Sequence, residues 1–254
     1  MSNAIKSGLF AAMTGLAAAV TAPAVFADDW VHYVGLTGFV FGMEGDSGVG
    51  GNTAEVDVSM SDVLDHLEGA LTGMVRGSNG TWGYWASYEY MDLGAKNSEV
   101  LFPEVGNAKR KGRVNIETNI VDAGLSYNVP GVDWLELMGG IRYWSQDMTL
   151  KLKITSDVGG RSREITNNEN WTDGFVGIRA TMPINDCWNA TLRLDGGAGD
   201  SDSTYQAIAL LNYTFAERWI SSVGYRYLKV DYEDDGFLFD MEMSGIEVAI
   251  SYRF

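Results

Sequence analysis

Cysteine, proline and histidine are nearly missing from this sequence: it has one Cys, four Pro and two His. A single Cys187 excludes an intramolecular disulfide. Set in a polar turn beside Asn185 and Asp186 with no His nearby, it reads as a tolerated, unpaired thiol. His32 and His66 give no metal-ligand spacing, and neither a Gly-rich phosphate loop nor a nucleic-acid motif is found, so no metal, cofactor or nucleic acid is expected. Beyond the first residues no apolar run is long enough to cross ~30 Å of hydrocarbon, which excludes a transmembrane helix. Bases are scarce as well: 18 Lys and Arg stand against 34 Asp and Glu, a net charge of −16.

What is present begins with a processing signal. Lys6 precedes an apolar stretch over residues 9–20, and Val25, Phe26 and Ala27 place small residues at −3 and −1 of a cleavage site. The spacing predicts a secretory signal peptide over 1–27, removed after Ala27, and one large all-β domain over 28–254. No Cys follows the site, so a lipoprotein is not expected.

Within 28–254 the dominant pattern has a period of two. Counting back from the last residue, Phe254, Tyr252, Ile250, Val248 and Ile246 alternate with Arg253, Ser251, Ala249, Glu247 and Gly245. Further upstream, Tyr205, Ala207, Ala209, Leu211 and Tyr213 alternate with Gln206, Asn212 and Thr214, and Val121, Ala123, Leu125 and Tyr127 with Asp122, Gly124 and Ser126. Ten such segments can be drawn; the first, near residues 31–41, is the weakest because both its faces are apolar. Alternation of this kind suits strands with hydrocarbon on one side and a lumen on the other. Backbone groups cannot stay unpaired in lipid, so such a sheet must close on itself. Connections alternate too. Short ones are expected at 77–80, 128–133, 183–187 and 216–218, and longer or more polar ones at 43–68, 94–113, 154–170, 199–203 and 233–237. The expected fold is an all-β, transmembrane, antiparallel up-and-down β-barrel of about ten strands, with short periplasmic turns and long outer loops.

Aromatic residues near the expected strand ends, among them Trp82, Trp134, Trp171, Trp188, Trp219 and Tyr127, suit the headgroup level. The signal peptide, the dyad repeats and the terminal run Ile250, Ser251, Tyr252, Arg253, Phe254 resemble bacterial outer-membrane barrel proteins. That resemblance spans nearly the whole of 28–254 and is one of architecture. It implies residence in the outer membrane of a Gram-negative bacterium, among its lipid and lipopolysaccharide. It also implies that Tyr252 and Phe254 serve as a signal to the barrel-assembly machinery.

Inward positions carry Arg76, Arg142, Arg179, Arg193, Arg226 and Arg253 and the acids Glu89, Asp122, Glu136, Asp173, Asp195 and Glu247. Every inward base is Arg, which suits bidentate pairing with carboxylates. In a lumen only slightly wider than an eight-strand barrel, these charges should form a closed ion-pair core linking adjacent strands, as between Arg226 and Glu247. A narrow pore lined by the same charges is the alternative. The run Lys109, Arg110, Lys111 and Arg113 on an acidic chain is a candidate for lipopolysaccharide phosphates, and the acidic loops could share divalent cations with the same headgroups. Ser61 is expected to cap a short helix running to Leu67 in the first outer loop, with Val63, Leu64 and Leu67 on one apolar side; it either covers the mouth as a lid, the plainer choice for so acidic a segment, or folds into it as a plug. An outer-membrane hydrolase would need a nucleophile and a base. Asp62 and His66, four residues apart and near Ser59 and Ser61, are the one such constellation, too weak to expect an enzyme. The expected role is therefore envelope structure or surface interaction through the outer loops.

Overall fold

The computed structural model describes residues 30–49, 52–94, 100–101, 109–156 and 159–254; the expected signal peptide lies outside them. The strands are β1 (Val31–Val49), β2 (Asn52–Val58), β3 (Leu67–Ser78), β4 (Trp82–Gly94), β5 (Val100–Leu101) and β6 (Lys109–Asn128). They continue with β7 (Leu135–Ser156), β8 (Gly159–Pro183), β9 (Trp188–Gly199), β10 (Ser203–Phe215), β11 (Trp219–Asp234) and β12 (Phe237–Arg253). Among the described residues one helix, α1 (Met60–His66), lies between β2 and β3. Ten strands pair with their sequence neighbours, and β12 returns to β1 to close an antiparallel, up-and-down barrel; β2 and β5 only extend the outer ends of β1 and β6. Closure runs to the last residue, where the His32 and Phe254 main chains exchange hydrogen bonds of 2.9 and 3.0 Å.

Hydrocarbon dictates the near-periplasmic half of this wall. On β12 the exposed face is Ile250, Val248 and Ile246; on β11 it is Val223 and Tyr225; on β7, Leu137, Ile141 and Tyr143. One aromatic girdle marks the periplasmic edge, where Trp82 meets Tyr127, Trp188 meets Tyr213 and Trp219 meets Tyr252 at ring-centroid distances of 4.9, 4.7 and 5.1 Å. A second level of exposed tyrosines, Tyr143, Tyr205 and Tyr225, marks the outer edge. Between the two levels β7 runs roughly nine residues, enough for a tilted strand to span a bilayer.

The strands do not stop there. β6, β7 and β8 are 20, 22 and 25 residues long, about twice what a bilayer needs. Above the outer tyrosines the alternation keeps its phase while its chemistry exchanges sides. On β12, Phe237, Phe239, Met241 and Met243 are buried on the lumen side of the ladder, in line with Gly245 and Glu247, while Asp240 and Glu242 are less buried on the opposite side. On β11, Leu228, Val230 and Tyr232 are inside and Lys229 and Asp231 outside. The outer half is thus built like a water-bathed barrel with an apolar core. That core stacks Trp144 on Trp171 (5.3 Å, 10°) and Trp171 on Tyr232 (4.3 Å, 12°), and packs Phe41, Met43, Leu93, Ile120 and Phe239 around them.

This exchange corrects several boundaries. Residues 43–49, 109–113, 154–156 and 159–170, expected in loops, belong to strands. The connection at 233–237 reduces to the two-residue turn Asp235-Gly236, both residues at positive φ (43° and 83°), as a tight hairpin of this kind requires. Trp171, expected in the girdle, is 1% exposed inside the barrel. The helix is capped by Ser59, whose hydroxyl accepts from the Asp62 amide at 3.3 Å, because the turn begins two residues earlier than expected. Its one buried residue is Val63, at 3% exposure, whereas Leu64 is 50% exposed. α1 packs on β1 where Gly42 leaves room: a Cβ there would lie 3.0 Å from the Val58 carbonyl oxygen.

Spin labels on one face of β12 read the exchange directly. A label at Ile246 is expected to respond to a lipid-soluble quencher, and one at Glu242, four residues on, to a water-soluble quencher; lipid-like responses at both sites would contradict the boundary. Trp171→Ala should lower stability by about 3–5 kcal/mol in bilayer-refolded protein, as loss of a fully buried aromatic does.

Candidate functional site: the lumen and the outer surface

Each strand delivers alternate residues to the lumen, so the polar set below the aromatic core is fixed by register. Asp122 on β6 and Arg142 on β7 stand directly opposite each other. The Arg142 Nε and Nη2 atoms donate to the two Asp122 oxygens at 2.9 and 3.1 Å, Nη2 also donates to Asp195 Oδ1 at 3.0 Å, and Nη1 donates to Thr204 Oγ1 at 3.0 Å. Arg193 closes a four-membered ring, donating from Nε to Asp195 Oδ2 at 2.7 Å and from Nη2 to Asp122 Oδ2 at 3.2 Å. Gln206 joins this ring to Arg226: its Nε2 donates to Asp195, and its Oε1 accepts from Arg226 Nε at 2.9 Å. Arg226 Nη1 then crosses the lumen from β11 to Glu89 on β4 at 2.8 and 2.9 Å. Glu136 accepts from both Arg76 and Arg179.

The guanidinium groups also lie on rings: Arg142 on Phe175 (5.0 Å), Arg179 and Arg193 on Trp85 (5.4 and 5.5 Å), and Arg226 on Phe39 (4.9 Å). A planar, delocalised cation suits such faces better than an ammonium does, which accounts for Arg at every position. A cavity of about 100 Å³, room for several waters, remains among Arg76, Trp85, Glu89, Arg179, Arg226 and Glu247.

Eleven of the twelve expected lumen charges are thus inside; Asp122 with Arg142 and Glu136 with Arg179 pair across adjacent strands as expected, while the other ties reach further. Arg226 reaches its closest carboxylate across the barrel, and Glu247, on the neighbouring strand, stands 4.0 Å from it. Asp173 is fully buried yet joins no ion pair among the described residues; its Oδ1 accepts the Ser201 amide at 3.0 Å and so ties the β9–β10 turn to β8. Arg253 is not in the network. It lies exposed at the periplasmic rim, where β12 ends, and donates to the Glu217 carbonyl at 2.7 Å. Five bases and six acids remain. The expectation missed Gln206, Thr204, Trp85 and Phe175, inward positions on the same alternation that lack a charge to mark them.

Outside, just above the outer tyrosines, register sets Asp92, Glu117 and Asp147 side by side on β4, β6 and β7. Burial, followed by repulsion from Asp92 and Asp147, pushes the Glu117 carboxyl above its ordinary 4.5. On the opposite side of the barrel Asp46, Asp240 and Asp231 stand abreast, with Glu44 and Glu242 one step lower. Lys229 answers them, 3.0 Å from Glu242 and 3.6 Å from Asp240. Among the described residues no three His, Cys, Asp or Glu side chains are grouped to hold a metal ion by themselves. Lys109, Arg110, Lys111 and Arg113 open β6, paired with 151–155 of β7. On α1 the Ser59 hydroxyl donates to Asp62 Oδ2 at 2.6 Å, and His66 Nδ1 lies 2.6 Å from the Asp62 carbonyl oxygen. Cys187 is exposed in the periplasmic turn.

A closed ten-strand wall with a lipid-facing band between two aromatic levels is an outer-membrane β-barrel. No protein-family model and no curated protein matches the sequence. Solved structures match it at the level of fold. The outer membrane protease OmpT of Escherichia coli is 13% identical over 91% of this chain and 99% of its own, with a TM-score of 0.54. The attachment invasion locus protein Ail of Yersinia pestis (11%, 90% and 100%, TM-score 0.37) and the translocator domain of the autotransporter NalP of Neisseria meningitidis (14%, 98% and 98%, TM-score 0.43) are more distant in shape.

Two outcomes follow from this geometry. Arg142→Met leaves Arg193 alone between two buried carboxylates, one charge uncompensated, and should cost about 3–5 kcal/mol of stability, whereas Arg253→Met should leave the unfolding midpoint nearly unchanged; equal effects would contradict the network. Glu117 binds its proton more tightly folded than unfolded, so its contribution is present at acid pH and is lost as pH rises through the raised carboxyl range. Glu117→Gln should therefore slow amide exchange around 115–119 at pH 7 and flatten the response between pH 7 and 4.

Proposed function

We propose that this protein is a non-conducting outer-membrane barrel that acts from its outer surface, on lipopolysaccharide phosphates, rather than through its lumen. The observation that carries this reading is the double closure: Arg–carboxylate ties cross the middle of the lumen, and a stacked aromatic core fills it above. Solute entering from outside would have to displace Trp144 and Trp171, which are 0 and 1% exposed. The cavity among the lumen charges favours the narrow-porin alternative, but it lies below that core and is only about 100 Å³. The role is not enzymatic. Although OmpT, a protease, shares the fold, Asp62 and His66 here serve the helix and its cap.

The basic run that opens β6 supplies the phosphate contacts, through Lys109, Lys111 and Arg113, which share a face of the ladder that Arg110 does not. Divalent cations are shared between the Asp92–Glu117–Asp147 row and headgroup phosphates, since the row repels itself and the bare phosphates alike. Tyr252 and Phe254 address the barrel-assembly machinery, and Phe254 then closes the sheet on His32. In planar bilayers the refolded protein is expected to give no steady ion current; sustained, sizeable openings would make the narrow porin the better answer.

A further inference from the structure

Eight of the chain's 18 Lys and Arg residues fall in three short runs, 109–113, 151–153 and 161–163, at the outer ends of β6, β7 and β8. Backbone register sorts them by face. Lys111 stands opposite Lys153 and Arg113 opposite Lys151, with Lys109 two residues further out. Because positions alternate along a strand, these five share the face of the ladder that carries Val121 and Tyr143 lower down. Arg110, Arg161 and Arg163 belong to the other face. Among the described residues Glu164, opposite Lys151, is the one acid in register with the five. Like charges directly opposite each other weaken a ladder, and two such pairs in succession call for an anion.

Height selects the anion. Arg113 and Lys151 lie eight residues beyond the Val121–Tyr143 pair. At ~3.3 Å per residue and a tilt of ~35–45° they stand roughly 20 Å above the outer tyrosines, and Lys109 roughly 30 Å. The level of the lipid A phosphates is occupied on the same two strands by Glu117 and Asp147 instead. We infer that the face formed by Lys109, Lys111, Arg113, Lys151 and Lys153 binds phosphates carried on the core sugars of lipopolysaccharide, not those of lipid A. This rests on the reading that the protein acts on lipopolysaccharide from its outer surface, and it assigns the contact to one face of one ladder.

The test uses the full chain in phospholipid nanodiscs and three probes: lipid A, lipopolysaccharide with a phosphorylated core, and lipopolysaccharide with the same core sugars lacking phosphate. The phosphorylated core should bind at least about tenfold more tightly than either other probe, the scale expected of several exposed charge contacts, and should weaken steeply with salt. Changing all five residues to Gln should abolish that preference, while Arg110→Gln, Arg161→Gln and Arg163→Gln together should retain it. If the five-fold variant fails to refold by its gel mobility, Lys111→Gln with Lys153→Gln serves in its place and should lose most of the preference. Equal affinity for lipid A and for the phosphorylated core, still lost in the five-fold variant, would overturn this inference and leave the lipopolysaccharide reading standing. Binding of all three probes unaffected by any variant would overturn both.

Discussion

A backbone amide or carbonyl left without a partner in hydrocarbon costs several kcal/mol, and the whole architecture follows from avoiding that cost. Ten strands satisfy it only by returning β12 to β1, with the pairing carried as far as Phe254 and His32. Closure fixes the diameter of the lumen. The space inside then has to be filled by side chains whose positions the alternation has already chosen, and those positions are free to be polar because only their neighbours along the strand meet lipid.

Filling a closed cylinder with charge works only when each charge is compensated. The sequence does this with a ring, Asp122–Arg142–Asp195–Arg193, extended through Gln206 to Arg226 and Glu89, so that the ties bridge the lumen and are not confined to neighbouring strands. Such ties resist both collapse and opening. Beyond the bilayer the constraint is reversed, since water now bathes the outer face and permits Asp92, Glu117, Lys229 and Asp240 there. The lumen can then be closed more simply, with Trp144, Trp171, Tyr232 and Phe239. One continuous strand such as β11 thereby serves two solvents, with Arg226 inside at one level and Leu228 and Val230 inside above it.

The barrel itself was legible because lipid imposes a strict chemistry on alternate residues: Phe254 to Ile246 and Tyr213 to Tyr205 read as strands unaided. Strand length was not legible. Residues 166–170, Thr-Asn-Asn-Glu-Asn, look like a loop when an apolar face is taken as the mark of a strand, yet they continue β8 where water replaces lipid. The missing signal was present in Phe237, Phe239, Met241 and Met243, which keep step with Gly245 and Glu247 while changing from polar to apolar; phase, rather than polarity, marks the strand. The lumen charges were legible as a set for the same reason of phase. Their pairing was legible only where partners oppose each other on neighbouring strands, as Asp122 and Arg142 do; the reach of Arg226 to Glu89 depends on which strands face each other across the cylinder, and composition along one strand carries no record of that.

The central claim is that the outer half of the lumen is dry and packed. Hydroxyl-radical footprinting of the protein in a bilayer tests it most directly, because Met and Trp side chains report water contact residue by residue. Met241, Met243, Trp144 and Trp171 should remain unmodified under doses that oxidise the exposed Trp82 and Trp188 at the opposite rim. Oxidation of the four inner residues at rates comparable to that rim would mean that water fills the outer lumen, and would contradict the account.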